Sequence, residues 1–180
     1  MIKVPLYDEV SADTKIIFDN LKKSSGKVSN LYATIGHSVN ALSAYMAYVH
    51  AQAKGSFRGK DREAIYLIVS QLNGCDYCLS SHTISAIKFK WTEEETLLLR
   101  AGKFPENKWQ VIFQVIKSVI DKKGEVSDEL LNAFFETGYK EGALIDLMAL
   151  INIMSFTNYV YRLTKVPIDY PLAKIVQIDN

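Results

Sequence analysis

The chain has 180 residues, 48% of them hydrophobic and 23% charged, which is enough for one domain with a substantial core. Its 21 basic and 20 acidic residues leave a net charge of +1, which argues against nucleic acid or an anionic membrane surface as a partner. The 2 cysteines stand three positions apart, which excludes the disulfide framework of a small secreted protein. In a cytosolic protein this spacing is typical of a redox or metal site.

The N-terminal third is expected to be helical after a short extended start. Residues 1–10 contain no apolar run of signal-peptide length, and no segment reaches the ~18 uninterrupted apolar residues of a membrane span. We therefore expect a cytoplasmic protein. Ser11 predicts the N-cap of a helix that runs to about Lys23. A short helix or irregular segment over 28–38 and a longer helix over 40–53 follow.

Two consecutive helices are predicted in the middle of the chain, over 61–72 and from about 75 to 90. The first is apolar around more than one stripe, which indicates burial on most sides. Asn73-Gly74 separates the two, since glycine tolerates the left-handed conformation that a helix C-cap requires. Both cysteines of the chain lie at the start of the second helix.

The C-terminal half also predicts helices. Thr92 and Glu95 have the spacing of a capping box, so a helix starts there and ends at Gly102. Further helices are predicted over 106–121, 127–138 and 141–163. The tail after Pro167 is expected to be irregular. Since no segment has a persuasive strand pattern, the fold is predicted to be all-α, with residues 1–180 forming a single domain.

Cys75, Cys78 and His82 form the motif with the strongest chemical content. Spacings of three and four residues place these side chains on one face of a helix, about one turn apart. The first turn of a helix favours a negative charge, which lowers a thiol pKa and promotes the reactive thiolate. The pattern therefore predicts a redox-active dithiol with an imidazole behind it.

Taken alone, Glu63 is interpreted as a structural residue, a first-turn carboxylate that complements the helix dipole. Together with Cys75, Cys78 and His82 it would also complete a four-ligand zinc set. Against zinc, three of these residues lie on one short helix, whereas structural zinc sites usually draw their ligands from separated loops. The residues alone leave the redox and the metal or structural interpretation open.

Other conspicuous side chains receive structural interpretations. Arg100 is expected to pair with a carboxylate among residues 93–95. Five aromatic residues are expected to belong mainly to the core, with room for one or two of them to line an apolar substrate channel: Tyr32, Tyr45, Phe57, Phe156 and Tyr159.

The spacing E-x11-C-x-x-C-x3-H, from Glu63 to His82, resembles the active-site motif of AhpD-like alkylhydroperoxidases within the carboxymuconolactone decarboxylase family. The words Asn-Gly-Cys-Asp-Tyr-Cys and Leu-Arg-Ala-Gly fit this family, and the resemblance is strongest over 61–102. Segments 30–38, 157–159 and 168–171 are similar to its longer members. The resemblance implies an AhpD-like helical fold with the motif on a helix hairpin.

The resemblance also implies roles for the motif residues. Cys78 is similar to the cysteine that attacks the peroxide, and Cys75 to the cysteine that resolves it. Glu63 and His82 resemble the relay that removes the proton from Cys78. The chain departs from the family pattern at Tyr77, where well-described peroxidases carry a second histidine. A tyrosine is a poor base at neutral pH but can support the site as a hydrogen-bond donor.

The function implied is a thiol-dependent peroxidase that reduces alkyl hydroperoxides, with no cofactor or metal. Its expected partners are a small hydroperoxide, an external dithiol reductant and further copies of the chain, since the family forms trimers and hexamers. The apolar helix over 141–163 points in the same direction, because its surface would suit burial between subunits. A decarboxylase-type lyase acting on a lactone remains an alternative within the family.

Overall fold

Residues 2–176 are described by the computed structural model, and they form nine α-helices and one short 3-10 helix. The 3-10 helix spans Tyr7–Glu9, within the stretch expected to be extended. The α-helices are α1 Ala12–Ser25, α2 Asn30–Ile35, α3 Val39–Gln52, α4 Lys60–Leu72, α5 Asp76–Lys88, α6 Glu93–Ala101, α7 Asn107–Asp121, α8 Asp128–Glu136 and α9 Glu141–Thr164. This part of the chain contains no strand, so the all-α prediction is confirmed.

The helix starts follow the capping residues in the sequence. The side chains of Ser11 and Ser127 each accept a hydrogen bond from the backbone of the first turn of their helix. Thr92 and Glu95 form the predicted capping box, in which each side chain bonds to the backbone of the other residue. These contacts are local, which explains why the sequence predicts them well.

Helix α4 lies at the centre of the fold and packs against α5, α6, α7 and α9. Every residue of the run 63–70 is buried. Each large apolar side chain in such a position stabilises the fold by roughly 1.5–3 kcal/mol relative to exposure. The broad apolar pattern of this segment therefore reflects a helix surrounded by other helices.

Helix α9 is long and apolar enough, by length and hydropathy, to cross a membrane, and it is the one such helix within residues 2–176. Half of its most apolar window is nevertheless buried in the fold, where it packs against α4 and α3. A core helix meets the same criteria. Several large apolar side chains of α9 remain exposed: Ile145, Met148, Phe156, Tyr159 and Leu163.

The connection between α4 and α5 is short and well held. Gly74 has a φ of +64°, a left-handed conformation that favours glycine. The guanidinium of Arg162 on α9 donates to the carbonyl of Asn73 at 2.6 Å. Packing of α9 therefore fixes the turn that delivers Cys75 to the start of α5.

The segment after α9 runs back over α5 and α6 without regular structure. Arg100 is almost fully buried and donates to the Gln71 side chain and to the Lys174 carbonyl, both at 2.8 Å. The prediction that Arg100 pairs with a carboxylate among residues 93–95 is wrong, because its hydrogen bonds go to Gln71 and Lys174. Glu93 pairs with Lys174 instead, and Glu95 accepts a hydrogen bond from the Thr92 backbone. The tail is irregular up to residue 176, and the prediction for residues 177–180 lies outside the described residues.

Candidate active site

The two cysteines lie at the beginning of α5 and are joined by a disulfide. Cys75 is the N-cap residue, and the backbone N–H of Cys78 donates to its sulfur at 3.2 Å. Both side chains are buried, with exposures of 0% for Cys75 and 3% for Cys78. The predicted placement of both sulfurs in one helical turn is thus present in the structure.

Glu63 and His82 meet across the α4–α5 hairpin. Oε2 of Glu63 lies 2.8 Å from Nδ1 of His82, although the two residues are 19 positions apart. The Glu63 side chain is only 6% exposed and that of His82 is 21% exposed. When Nδ1–H of His82 donates its hydrogen bond to this carboxylate, Nε2 is the ring nitrogen left with a free lone pair. Nε2 makes no hydrogen bond to another described residue.

One aromatic ring contacts the imidazole of His82, and others line the cavity that His82 also lines. The ring of Tyr66 on α4 stands edge-on to His82 with centroids 4.9 Å apart. Burial raises the pKa values of Tyr66, Tyr32 and Tyr45, so their phenols remain neutral at physiological pH. These side chains supply apolar surface and hydroxyl donors, not negative charge.

A cavity of about 160 Å³ is lined by both Cys78 and His82. Its walls come from α2, α3, α5, α9 and the C-terminal segment, and include the rings of Tyr32, Tyr45 and Tyr170. A larger cavity of about 420 Å³ lies beside Arg100 and is lined by neither cysteine. The smaller cavity is therefore the candidate active site, because Cys78 and His82 both line it.

Tyr77 points from the dithiol turn toward the C-terminal segment. Its hydroxyl donates to Asp169 Oδ1 and accepts from the backbone N–H of Leu31 at 3.1 Å. Burial, together with the hydrogen bond to Asp169, raises the pKa of Tyr77 well above its ordinary value. Tyr77 therefore has no basic role at neutral pH, and its hydrogen-bonding capacity is used to connect three parts of the chain.

The described residues contain no group of three or more His, Cys, Asp or Glu side chains that could hold a metal ion. Within the set Glu63, Cys75, Cys78 and His82, the two sulfurs are bonded to each other and the Glu63 carboxylate is hydrogen-bonded to His82. The geometry therefore gives no support to the four-ligand zinc interpretation.

Three wall residues were not identified as site residues from the sequence. Tyr32 and Tyr45 belong to the five aromatic residues of which one or two were expected to line a substrate channel, and they are the two that line this cavity, although the sequence did not indicate which. Tyr170 belongs to a segment noted only for its resemblance to longer family members. No local pattern marks these residues, because the cavity forms only when α2, α3 and the C-terminal segment meet α5.

The fold and site define a class: an all-helical protein with a buried Cys-x-x-Cys at a helix start, backed by a carboxylate–imidazole pair. The family model for the carboxymuconolactone decarboxylase family matches residues 39–116. The uncharacterized protein YdfG of Bacillus subtilis is 32% identical over 112 residues, which cover 59% of this chain and 75% of that protein. The chain belongs to the carboxymuconolactone decarboxylase family.

Solved structures share this fold. A peroxidase-related protein from Silicibacter sp. TM1040 superposes with a TM-score of 0.80 at 19% identity, covering 91% of this chain and 88% of that one. A peroxidase-related protein from Ralstonia eutropha JMP134, described as an alkylhydroperoxidase AhpD core, also gives 0.80, at 18% identity over 93% and 90% of the chains. The debrominase Bmp8 in complex with 2,3,4-tribromopyrrole gives 0.75 at 16% identity, over 94% and 91%. The AhpD-like fold is confirmed.

Proposed function

We propose that this protein is a thiol-dependent peroxidase that reduces hydroperoxides through a Cys75–Cys78 dithiol/disulfide cycle. The observation that carries the proposal is the arrangement around one cavity: Cys78 and His82 line it, Cys75 is bonded to Cys78, and Glu63 holds the imidazole. A peroxidase of this type needs a nucleophilic thiol, a base and a second thiol, and the hairpin brings all three together.

The first step is deprotonation of the reduced Cys78 thiol. With Nδ1 bonded to Glu63, the neutral imidazole of His82 offers Nε2 as the acceptor, directly or through one water molecule. The buried carboxylate then stabilises the imidazolium that forms, as an orienting acid does in other nucleophile–histidine pairs. The start of α5 favours a thiolate for an additional reason, since the dipole of the helix places partial positive charge in its first turn.

The second step consumes the peroxide. The Cys78 thiolate attacks the distal oxygen, the O–O bond breaks, and the departing alkoxide takes up one proton to leave as the alcohol. Cys78 is then a sulfenic acid, oxidised by two electrons. The Cys75 thiol attacks the sulfenic sulfur, so that the disulfide forms and one water molecule leaves. The net reaction turns a hydroperoxide and two thiols into an alcohol, water and a disulfide.

A dithiol reductant closes the cycle by exchange with the disulfide. Because both cysteines are almost fully buried, the external reductant has to reach the sulfurs through the cavity or by a local opening of the turn. We also propose a homo-oligomer, a trimer or a hexamer, in the cytoplasm. The exposed apolar side chains of α9 support the assembly, since contiguous apolar surface is usually covered by a partner.

The test is hydroperoxide consumption by the pre-reduced protein with dithiothreitol as the reductant. Cys78→Ser should abolish turnover. After removal of dithiothreitol, pre-reduced Cys75→Ser should react with one equivalent of hydroperoxide and keep a sulfenic acid on Cys78, which a 1,3-dione reagent traps. Glu93→Gln, which changes an exposed first-turn carboxylate of α6, is the matched control and should retain the parent rate. Turnover by Cys78→Ser at the parent rate would refute the proposal.

A lyase acting on a lactone is the second candidate, because family membership and the Glu63–His82 pair support acid–base chemistry that needs no cysteine. Lactone decarboxylation that survives Cys78→Ser and is lost in His82→Asn would favour it. Zinc analysis of protein purified without chelator tests the metal interpretation, and one equivalent per chain would contradict the dithiol cycle.

A further inference from the structure

The segment from Pro167 to Tyr170, which we call the strap, is held against the dithiol turn by one carboxylate. Asp169 accepts hydrogen bonds from the Tyr77 hydroxyl and from Nζ of Lys27, the latter at 2.9 Å. Lys27 also donates to the Asp169 carbonyl at 2.8 Å, and the side-chain amide of Asn30 donates to the Pro167 carbonyl at 3.1 Å. Because Tyr77 stands between the two cysteines, the strap is attached to the redox motif itself.

Tyr170 is the strap residue that reaches the cavity. Its ring stands at 90° to the ring of Tyr77 with centroids 5.5 Å apart, and Nζ of Lys27 lies 4.0 Å above it. The same ring lines the cavity that contains Cys78 and His82. Its position therefore depends on Tyr77, Asp169 and Lys27, and moving it would open one wall next to the nucleophile.

The cavity volume limits what fits beside Cys78. At about 160 Å³ the cavity is close in size to an engineered protein cavity of about 150 Å³ that binds benzene. A tert-butyl or phenyl group therefore fits within this space, whereas the chain of a fatty-acid hydroperoxide exceeds it and would have to extend past the cavity walls, one of which is the Tyr170 ring. The neutral phenols of Tyr32 and Tyr45 also give this wall no charge to attract an ionic substrate.

We propose that Tyr170 sets the size limit of the substrate and that Asp169 and Tyr77 are positioning residues that hold it, so that the protein prefers hydroperoxides whose organic group is no larger than about one benzene ring. This inference rests on the proposed peroxidase function for the identity of the substrate. The effect of the Tyr170 ring on access to Cys78 is a property of the cavity and can be measured without turnover.

The first experiment measures access to the nucleophile alone. In a Cys75→Ser background, Cys78 is the single thiol, and its alkylation rate is compared for iodoacetamide and for a bulky fluorescein iodoacetamide. The parent should strongly prefer the small reagent. Asp169→Ala should reduce this preference by about 10- to 150-fold, the equivalent of one charge-assisted hydrogen bond, and Tyr170→Ala should also reduce it because the wall ring itself is removed. Asp121→Asn, which breaks an exposed ion pair with Lys117, is the matched control and should leave the preference unchanged.

The second experiment compares kcat and KM for tert-butyl hydroperoxide and linoleic acid hydroperoxide. Tyr170→Ala should raise kcat/KM for the large substrate relative to the small one, chiefly by lowering KM for the large substrate, whereas Asp121→Asn should leave this ratio at the parent value. Tyr77→Phe keeps the ring but removes the hydroxyl, so it tests the positioning role even if Asp169→Ala does not fold.

The outcomes separate the two proposals. If neither the parent nor any variant consumes hydroperoxide but the alkylation preference falls as expected, the proposed peroxidase function is wrong and the claim that Tyr170 limits access to Cys78 is supported. If Tyr170→Ala and Tyr77→Phe keep the parent preference while their melting temperatures match the parent, the strap does not control access and the inference is overturned.

Discussion

The Glu63→Gln variant tests whether the carboxylate of Glu63 contributes to the reaction or only to the stability of the fold. The amide keeps the size of the side chain and can still accept from Nδ1 of His82, but it removes the negative charge 2.8 Å from the imidazole. A hydrogen bond to a charged group contributes about 1.5–3 kcal/mol and a neutral one about 1 kcal/mol, so about 0.5–2 kcal/mol should be lost when the imidazolium forms. That corresponds to a rate decrease of roughly 2- to 30-fold.

The assay is the single-turnover oxidation of reduced Cys75→Ser protein by a small hydroperoxide, followed by stopped flow at pH 7. His82→Asn should slow the reaction more than Glu63→Gln, by about 10²- to 10⁴-fold, because the base itself is lost. Glu93→Gln is the control, since Glu93 is also a first-turn carboxylate but pairs with Lys174 at the surface. If Glu63→Gln lowers the melting temperature and leaves the rate at the parent value, Glu63 is a structural residue and the relay is wrong.

Three further predictions concern stability. Ile65→Ala should lower the free energy of unfolding by about 2–5 kcal/mol in a urea titration, because Ile65 is fully buried in α4. Gly74→Ala should cost about 1–2 kcal/mol in the same assay, since its φ is +64°. Burial opposes ionisation of Asp169, but hydrogen bonds from Tyr77 and Lys27 outweigh it and lower its pKa below 3.8. This contribution to stability is present above pH 3.8 and lost as the pH falls through the lower folded pKa, so the stability difference between the parent and Asp169→Asn should shrink in that acidic range.

Helix positions and the dithiol turn were predictable because their determinants are local. The caps at Ser11 and Thr92 involve residues three positions apart, and the break at Gly74 depends on one left-handed residue. The placement of Cys75 and Cys78 in one turn follows from helix geometry alone. Each of these features depends on residues that are close together in the sequence.

Contacts between distant segments were not predictable in the same way. The distance between Glu63 and His82 depends on the angle of the α4–α5 hairpin, which the packing of α9 against both helices helps to fix. The bond from Tyr77 to Asp169 spans 92 positions, and no local pattern marks it. Arg100 was misassigned for a related reason, because its partners are a side chain on α4 and a carbonyl of the C-terminal segment.

Family membership alone does not decide the chemistry of this site, because its two halves are separable. The Glu63–His82 pair is an acid–base unit formed between α4 and α5, and it would exist without either sulfur. The two cysteines form a disulfide at the start of α5, and the proposed peroxidase would use them as a nucleophile and as a trap for its oxidised form. A lyase would need only the first half, whereas a peroxidase needs both. The dependence of turnover on Cys78 is therefore the measurement that distinguishes the two functions on one scaffold.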